Sequence, residues 1–547
     1  MTTYRIAGLN PPRRPLGARL RALLSAKAAP VLDGYQVERA PLRRWLRRNF
    51  VLSLIALSAV IYGVLFTIMP LAFVVFLALP IVVLALTVIW ALPEIGHAPV
   101  RLVNRLFYLL FGVMLLWPNY IALDFGGLPW ISLRRIVVAP LILLFLIALS
   151  VSRAFRKQLT DVLVTIPAMW KLMVFFVAVQ TLSIGMSTAP LASIKLWLND
   201  QAFWTAVFFI CAYVFAREGA ITRWVKLMVC IAIVLSIVGV VEARAQHVLW
   251  LNHIPSFLRI DDQAVQEMLK AHFRDGGYRA SSTFTVPLAF AEFLAVMTPF
   301  VAHYVVTTRT TVERVFFVLA DLLIFIAILT TGARLGIVGF LAGHLCYIFL
   351  WSVRKWRWGG RSLIGPTLTI PYPLLAFAFV LSAIYVPAVH NRVLGGGSSG
   401  FSDDARKIQY QMARPKWLHS PLIGYGPGES GDVLGFFTEG GVLTVDSYPL
   451  SLSLDYGFLG LISFVSMLVI GVVRMVRVAT LAAGEASIEM AAPLACAIVV
   501  FMTTKLVLSQ EDNNPLVYAF LAMAVAIEYR RERLATAARP RGTLLEI

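Results

Sequence analysis

Charged residues are scarce in this chain: they make up 14% of its 547 residues, whereas hydrophobic residues make up 59%. A soluble globular protein is about a quarter charged and half apolar, so this composition excludes an ordinary soluble enzyme. The apolar residues form long runs, such as 51–92, 136–152 and 225–241. Because runs of this length can cross about 30 Å of hydrocarbon, the sequence predicts an all-α, polytopic membrane protein.

Cysteine and nucleotide-binding motifs are also sparse. The four cysteines lie inside apolar runs, where they act as small hydrophobic residues, and no CxxC pair occurs. Nothing in this pattern indicates a disulfide framework or a zinc site. No glycine-rich nucleotide loop follows a strand, and no alternation of strands and helices is present in which to place one. We therefore expect no metal and no cofactor.

Acidic residues are outnumbered, with 29 Asp and Glu against 48 Lys and Arg and a formal net charge of +19. The basic residues cluster beside apolar runs, at 43–48, 153–157, 354–361 and 530–541. This is the positive-inside pattern of cytoplasmic loops. It favours membrane lipid as a partner and argues against nucleic acid. The first 48 residues lack the apolar core of a cleavable signal peptide, so we expect the first span to direct insertion.

About 14 spans are predicted, or 12 to 13 if the first two form one hairpin broken near Pro70 and Pro80. They lie near 50–69, 71–92, 104–123, 135–152, 163–184, 199–216, 222–242, 286–307, 314–331, 335–352, 370–389, 451–474, 487–507 and 514–529.

Loop charges predict the orientation and the division of the chain. Both termini are expected in the cytoplasm, with Arg134 and Arg135 as the exception at one external helix end. The predicted regions are a basic cytoplasmic segment at 1–48, transmembrane helices over 49–390 with an external loop at 243–285, a large, partly helical periplasmic loop at 391–449, transmembrane helices at 450–529, and a basic cytoplasmic tail at 530–547.

Chemistry is expected mainly in the loop at 391–449, because long loops are disproportionately functional. Gly395–Gly400 resembles a hinge, and the loop is expected to act as a lid. Helical spacing begins at Asp403 and places Ile408, Met412 and Trp417 on a buried side. The glycine- and proline-rich segment from His419 to Gly428 suits close backbone approach.

Two arginines are candidate ligands for a phosphate group, and a third, Arg406, lies in the large loop. Arg334 lies at the external junction of two spans, and Arg279 lies just before another external helix start. Guanidinium binds phosphate bidentately and keeps its charge. Each could instead be an ordinary interfacial arginine, and Arg406 could pair with Asp403 on its own helix.

Asp446, just above the external end of a span, is the candidate general base toward a sugar hydroxyl. It could equally be a surface residue or a helix cap. His419, Tyr425 and Tyr448 are candidate substrate contacts, with a structural role as the alternative for His419. Together, the arginines and the carboxylate suggest a diphosphate-linked substrate on the external face.

Four segments resemble the O-antigen ligase and polymerase superfamily of bacterial inner-membrane glycosyltransferases. They are GGYRASSTF at 276–284, TTGARLGIVGF at 330–340, DARKIQYQMARPKWLHSPLIGYGPG at 404–428 and TVDSYPLSLSLDYGFLGL at 444–461. The glycine-proline segment at 421–428 is the most specific part of the resemblance, whereas the helices before about 240 contribute little beyond hydropathy.

The resemblance implies a glycan on undecaprenyl pyrophosphate as donor and acceptor, used at the periplasmic face of the bacterial inner membrane. It assigns diphosphate binding to Arg279 and Arg334, with Arg406 as a third candidate. Ligases of the superfamily usually carry a His-Asn pair where this chain has Asp446 and Ser447. That departure favours a polymerase of exopolysaccharide or O-antigen, with metal-independent inversion at the anomeric carbon and with chain-length regulators or export proteins as candidate partners.

Two other functions stay open at this point. A ligase would transfer the finished glycan to lipid A core or to another acceptor. A transporter or flippase of lipid-linked sugars would need charged residues along a pathway through the membrane. Lys171, Lys505 and Glu292 are the candidates for such buried charges, and Glu292 could instead pair with an external arginine.

Overall fold

A computed structural model describes residues 74–538 and a few residues between 49 and 60. The described range has gaps at 95, 97, 125–129, 261–262, 271, 275, 361, 388–399, 438–442 and 482–484. The predicted segment at 1–48, most of the predicted hinge and the last residues of the tail lie outside the described residues. The chain divides into two compact units, Met1–Val88 and Ile89–Ile547. The second contains every candidate residue.

Helices dominate the described chain. In the first half they are α1 Val74–Ala91, α2 Val100–Leu116, α3 Leu133–Val151, α4 Arg153–Thr165, α5 Pro167–Ser183, α6 Pro190–Phe215, α7 Ala220–Ala245 and α8 Gln263–Leu269. In the second half they are α9 Pro287–Thr307, α10 Thr311–Thr330, α11 Arg334–Trp358, α12 Ile364–Thr369, α13 Tyr372–Tyr385, α14 Gly400–His419, α15 Ser430–Leu434, α16 Tyr448–Ala479, α17 Ala486–Glu489, α18 Ala491–Lys505 and α19 Asn514–Ala538.

Short irregular elements connect these helices. A π-helical turn at Gln201–Thr205 interrupts α6. The 3₁₀ turns are Ile184–Met186, Leu251–His253 and Ser256–Leu258. Two antiparallel pairs complete the list: β1 Ala122–Leu123 with β2 Ile131–Ser132, and β3 Phe273–Arg274 with β4 Gly277–Tyr278. In register, Ala122 faces Ser132 and Phe273 faces Tyr278.

Eight of the described helices are long and apolar enough to cross a membrane, so the chain is an all-α, polytopic membrane protein as predicted. Among the other predicted spans, α2 and α13 are shorter, and α10 carries Glu313, Arg314 and Asp321. The total of 12 to 14 spans therefore stays a prediction.

Helix α9 lies at the centre of the second unit, where 89% of its apolar window is buried. Its neighbour α11 presents three glycines to it at helical spacing. A Cβ on Gly336 would lie 2.8 Å from the Cβ of Ala291, and one on Gly339 would lie 2.9 Å from that of Ala295. Small residues let membrane helices approach closely, so these glycines determine the packing of α9 against α11.

Helix α16 is broken at Gly457, whose φ of 64° and ψ of −173° are not helical. The backbone from Pro421 to Gly426 fits into this break. Tyr425 N donates to Leu454 O at 2.8 Å, and Phe458 N donates to Pro421 O at 2.8 Å. The inserted segment thus satisfies backbone groups that a broken membrane helix would leave unpaired.

The inserted segment needs glycine. Gly424, Gly426 and Gly428 all have positive φ, and a Cβ on each would lie within 3 Å of another atom. The close backbone approach predicted for this segment is therefore confirmed. These residues belong to the packing of the membrane domain, so the hypothesis of a lid is wrong for residues 421–428.

The helix ends form two opposite faces, which we call the site face and the basic face. Contacts between ends at the site face join Leu115 with Thr283, Glu242 with Ser281, Thr331 with Arg279, Asp512 with Thr285, and Ala289 with Asn513. Contacts at the basic face join Arg354 with Glu489, Trp358 with Thr480, Arg474 with Glu528, and Arg530 with Glu485.

Arg134 and Arg135, which broke the charge pattern, lie at the site face. The Arg134 guanidinium carbon lies 5.0 Å from the centre of the Phe203 ring. Arg135 donates to the Trp130 carbonyl. Each arginine thus has a local contact that explains its place among the less basic loops.

Candidate functional site

Arg279 and Arg334 meet at the turn that joins α10 to α11. Arg279 Nε donates to Thr331 O at 2.8 Å, and its side chain packs on Gly332, where a Cβ would lie 3.3 Å from Arg279 Cγ. Arg334 is exposed and is the first residue of α11, two positions after Gly332. The two predicted phosphate ligands therefore come from distant parts of the chain to one turn.

A buried carboxylate in α7 holds the segment that carries Arg279. Glu242 accepts from the backbone N–H groups of Ser281 at 3.0 Å and Ser282 at 2.8 Å, and from Tyr278 Oη at 2.8 Å. These three hydrogen bonds hold residues that precede and follow Arg279 in the sequence. Sequence reasoning missed Glu242, although an acidic residue in the last turn of an apolar span is a signal for a specific partner.

Helix α14 follows the predicted helical spacing, but its buried side is different. Gln409 and Ala413 are fully buried, whereas Ile408 is 46% exposed, so the predicted position of Ile408 was wrong. Arg406 lies partly buried on the same helix. The reason is that Gln409 occupies the buried side, where its Oε1 accepts a hydrogen bond from the backbone of the loop at Asp446.

Asp446 lies where that loop meets α14. Its backbone N donates to Gln409 Oε1 at 3.0 Å, and its carboxylate accepts from Thr444 Oγ1 at 3.3 Å. The side chain is partly exposed. Ser447, not Asp446, is the N-cap residue of α16. The helix-cap alternative for Asp446 is thereby removed, and its carboxylate remains accessible.

A cavity of about 270 Å³ lies beside the Asp446 segment and is lined by Thr444 and Val445. Its other walls contain three carboxylates, those of Asp200, Asp455 and Glu511. Asp455 accepts from Ser430 N at 2.7 Å and from Ser451 Oγ at 3.3 Å. Asp200 accepts from Tyr456 Oη at 3.4 Å. A wall of this kind offers several acceptors to a molecule that carries hydroxyl groups.

Sequence reasoning did not select these three carboxylates. Asp455 lies in the motif at 444–461, and Asp200 lies inside an apolar helix, where an ionisable residue is a functional signal by default. Their common cavity depends on which helices are neighbours.

Glu429 fixes the position of the glycine segment on α6. Its carboxylate accepts from Ser187 Oγ at 2.6 Å, Thr188 Oγ1 at 2.7 Å and Ala189 N at 3.0 Å. Burial alone would raise the pKa of Glu429, but these hydrogen bonds stabilise the charged form and the net pKa is lowered. The carboxylate thus links the segment at 426–429 to the start of α6.

The three candidate substrate contacts lie in different surroundings. His419 is exposed and its ring stacks on that of Tyr425, with centroids 6.3 Å apart. Tyr425 Oη donates to Lys416 O at 2.9 Å. Tyr448 is buried, and its Oη accepts from Asn514 Nδ2 at 2.8 Å. It therefore supports the site from the protein interior.

The charges proposed for a transport pathway are accounted for by packing. Lys171 is exposed, whereas Lys505 and Glu292 are buried and form an ion pair at 3.4 Å. Glu292 also accepts from Thr504 Oγ1 and Asn513 Nδ2, each at 2.8 Å. Glu292 therefore pairs with a lysine and not with an external arginine. Within the described residues, no group of His, Cys, Asp and Glu is arranged to hold a metal ion.

The site face has two halves. The hydrogen bond that Thr285 donates to Asp512, the neighbour of Glu511, connects them. Arg279 and Arg334 lie on one half, and Asp446 with its cavity lies on the other. The structure thus places the predicted residues on one face, in two groups.

Comparison with protein families gives a match over part of the chain. Residues 319–465 match the profile of the O-antigen ligase family, a range that includes Arg334, Arg406 and Asp446 but not Arg279. A sequence search finds no matching curated protein. The match indicates a ligase- or polymerase-type activity on lipid-linked glycans. The match over residues 319–465 supports the O-antigen ligase and polymerase superfamily, which the four motifs predicted.

Proposed function

We propose that this protein polymerises undecaprenyl-pyrophosphate-linked oligosaccharide repeat units into an exopolysaccharide or O-antigen. The observation that carries the proposal is the meeting of Arg279 and Arg334 at one turn, on the face that also carries Asp446. Two guanidinium groups suit a diphosphate, and a carboxylate suits proton removal from a sugar hydroxyl.

The reaction is an inverting displacement. The acceptor hydroxyl gives its proton to the Asp446 carboxylate, and its oxygen forms a bond to the anomeric carbon of the donor. The bond from that carbon to the diphosphate oxygen breaks with its electron pair. Arg279 and Arg334, with Arg406 as a third candidate, stabilise the charge that grows on the leaving diphosphate. The chemistry requires no metal.

The cavity beside Asp446 is suited to the acceptor. Asp200, Asp455 and Glu511 offer hydrogen-bond acceptors to sugar hydroxyl groups, and Thr444 and Val445 join this cavity to Asp446. The exposed ring of His419 stacks on the partly buried ring of Tyr425 nearby.

The test is polymer formation from a purified lipid-linked repeat unit. Arg334→Ala and Asp446→Asn should each lower the rate by at least about 100-fold, as loss of transition-state stabilisation or of a general base does. Matched controls are Arg414→Ala and Asp432→Asn, exposed residues of the same kinds on α14 and α15. Wild-type polymer formation by both test variants would refute the assigned roles. Full inhibition by EDTA would refute metal independence.

The family profile is common to ligase- and polymerase-type activity, so a second candidate is an O-antigen ligase that transfers the glycan to lipid A core or to another acceptor. Product length separates the two functions. A polymerase yields a ladder of repeat units on the carrier, whereas a ligase changes the anchor and leaves the length unchanged. A third candidate, a transporter of lipid-linked sugars, would move the substrate without making either product.

The same proposal places the protein in the bacterial inner membrane with the site face in the periplasm and both termini in the cytoplasm. The excess of arginine and lysine on the basic face supports this orientation. Proteins that set chain length or export the polymer are the proposed partners.

A further inference from the structure

A second cavity, of about 350 Å³, opens at the basic face, where α9 and α11 end. Its walls carry two cations, one carboxylate and three large aromatic side chains. They are Arg354, Lys355, Glu489, Tyr347, Trp351 and Trp358. Neither the proposed reaction nor the family match uses this cavity, although the sequence marks 354–361 as a basic cluster.

The charges in this cavity favour an anion. Arg354 pairs with Glu489 at 3.2 Å, and both side chains remain partly exposed. Lys355 Nζ lies 5.9 Å from the centre of the Trp351 ring. The pair leaves Lys355 as the excess positive charge among the lining residues. An arginine beside a lysine is a common arrangement for binding phosphate, because one supplies two directed donors and the other a compact charge.

The cavity lies at the level of a membrane surface. Arg334 and Arg354 are 20 residues apart on one helix, which corresponds to about 30 Å, the thickness of the hydrocarbon layer. Tryptophan residues are enriched at this boundary. Trp358 is held there because its Nε1 donates to Thr480 O at 3.0 Å.

An apolar stripe leads from this cavity toward the membrane centre. Leu341, Leu345 and Ile348 are exposed on α11, by 47%, 47% and 42%. Ile348, Trp351 and Lys355 follow each other at the spacing of one helical face. Acyl chains could therefore lie along the stripe while a headgroup occupies the cavity.

We propose that this cavity binds the phosphate group of an anionic lipid headgroup, on the face opposite the glycan site. Arg354 and Lys355 contact the phosphate, the tryptophans border the headgroup, and the α11 stripe contacts the acyl chains. The proposal does not depend on the reaction proposed above.

The test is lipid binding by the purified full chain, measured by native mass spectrometry with phosphatidylglycerol, phosphatidylcholine and inorganic phosphate as separate probes. We expect saturable binding of phosphatidylglycerol that is at least about tenfold tighter than that of phosphatidylcholine. The variant Arg354→Gln with Lys355→Gln should weaken phosphatidylglycerol binding by about tenfold, the effect of losing a charged hydrogen bond.

The matched control is Arg357→Gln with Arg477→Gln, which removes the same charge from exposed positions outside the cavity. Less than a twofold change is expected for it. Equal losses in the two double variants would overturn the proposal, because they would reflect net charge alone. Equal binding of phosphatidylcholine by the unmodified protein would also overturn it. Displacement of phosphatidylglycerol by millimolar inorganic phosphate would overturn the lipid assignment and indicate a soluble phosphate.

Discussion

At the scale of single residues, Glu242 binds the chain on both sides of Arg279. Its carboxylate is fully buried and accepts three hydrogen bonds from the segment 278–282. Ser282 in that segment has a positive φ of 51°, a conformation that a non-glycine residue adopts only when its surroundings enforce it. In the proposed function Glu242 is a positioning residue, because it would act on substrate through Arg279.

Glu242→Gln should therefore lower glycan transfer by about 100-fold, since small displacements of a positioning group have effects of that size. The KM for the lipid-linked donor should rise more than the KM for the acceptor. Tyr278→Phe removes only one of the three bonds, so its effect should be only a few-fold. Steady-state kinetics with both substrates measure this difference. A Glu242→Gln variant with wild-type kinetics, or with equal changes in both KM values, would contradict the positioning role.

Glu429 gives a prediction about pH. Its pKa in the folded protein is below the ordinary value of 4.5, so its hydrogen bonds stabilise the fold above that pH. This contribution is lost as the pH falls through the lowered pKa. Glu429→Gln should reduce the free energy of unfolding by about 2 kcal/mol at pH 7. The difference from wild type should shrink on acidification below pH 4.5. Thermal unfolding in detergent at several pH values tests this, and a pH-independent difference would contradict it.

Some residues of the site could be selected from the sequence because each stands out in its surroundings. Arg334 is a charge between two apolar spans, and Gly424, Gly426 and Gly428 form an unusual run. Glu242 and Asp200 carried the same kind of signal, a carboxylate in an apolar helix. Their roles could not be derived, because a partner such as Ser281 or Tyr456 becomes a neighbour only when the helices pack.

At the scale of elements, the contact between α9 and α11 depends on the small volume of the residues that form it. Gly339 faces Ala295 so closely that even one methyl group must displace its neighbour. Gly339→Ala should lower the folded yield, since overpacking typically costs about 1–3 kcal/mol. Gly339→Ala combined with Ala295→Gly should restore much of the loss. Gly112→Ala, at a helical glycine with no atom within 4 Å of the added carbon, is the control.

Yield of monodisperse protein after detergent extraction measures this effect. An equal loss for Gly112→Ala, or no restoration by the compensating exchange, would contradict the packing explanation.

The break in α16 gives another prediction at this scale. A Cβ on Gly457 would lie 2.3 Å from the carbonyl carbon of Leu422, and its φ is positive. Gly457→Ala should therefore displace the inserted segment and abolish both transfer activity and most of the folded yield. Gly431→Ala, where the nearest atom is 3.9 Å away, should have little effect. Comparable yields for the two variants would show that the insertion tolerates a side chain.

Hydropathy predicted where α16 runs but not that it is interrupted. A single glycine in a long apolar helix is common in membrane proteins, so Gly457 alone gives no signal. The information lies in the pairing of Gly457 with the segment at 421–426, which is about 30 residues earlier in the chain. Spacing within one helix cannot reveal such a pairing.

At the scale of the whole molecule, the two faces predict accessibility to a membrane-impermeant maleimide. In a background without the native cysteines, Asp432→Cys on the site face should react in cells whose outer membrane is permeabilised. Glu218→Cys, near the basic face, should react only after lysis. Both positions are exposed in the structure. The reverse labelling would place the glycan site on the cytoplasmic side and would contradict the proposed orientation.

The all-α, membrane-spanning character was evident from composition alone, because hydrocarbon imposes a length and a polarity on every span. Composition did not reveal which helix lies at the centre of the second unit. Helices α9 and α5 are equally apolar, yet 89% of the α9 window and 33% of the α5 window are buried. Hydropathy does not distinguish a protein neighbour from a lipid neighbour.

The break at Gly457 has a consequence for biogenesis. During synthesis, residues 421–426 leave the ribosome before α16 does, so the backbone that completes this helix already exists when the helix is inserted. Only about 30 residues separate residue 426 from Gly457, and closing so short a loop has a small entropic cost. Assembly of this region can therefore proceed while the last two long helices, α18 and α19, are still being made.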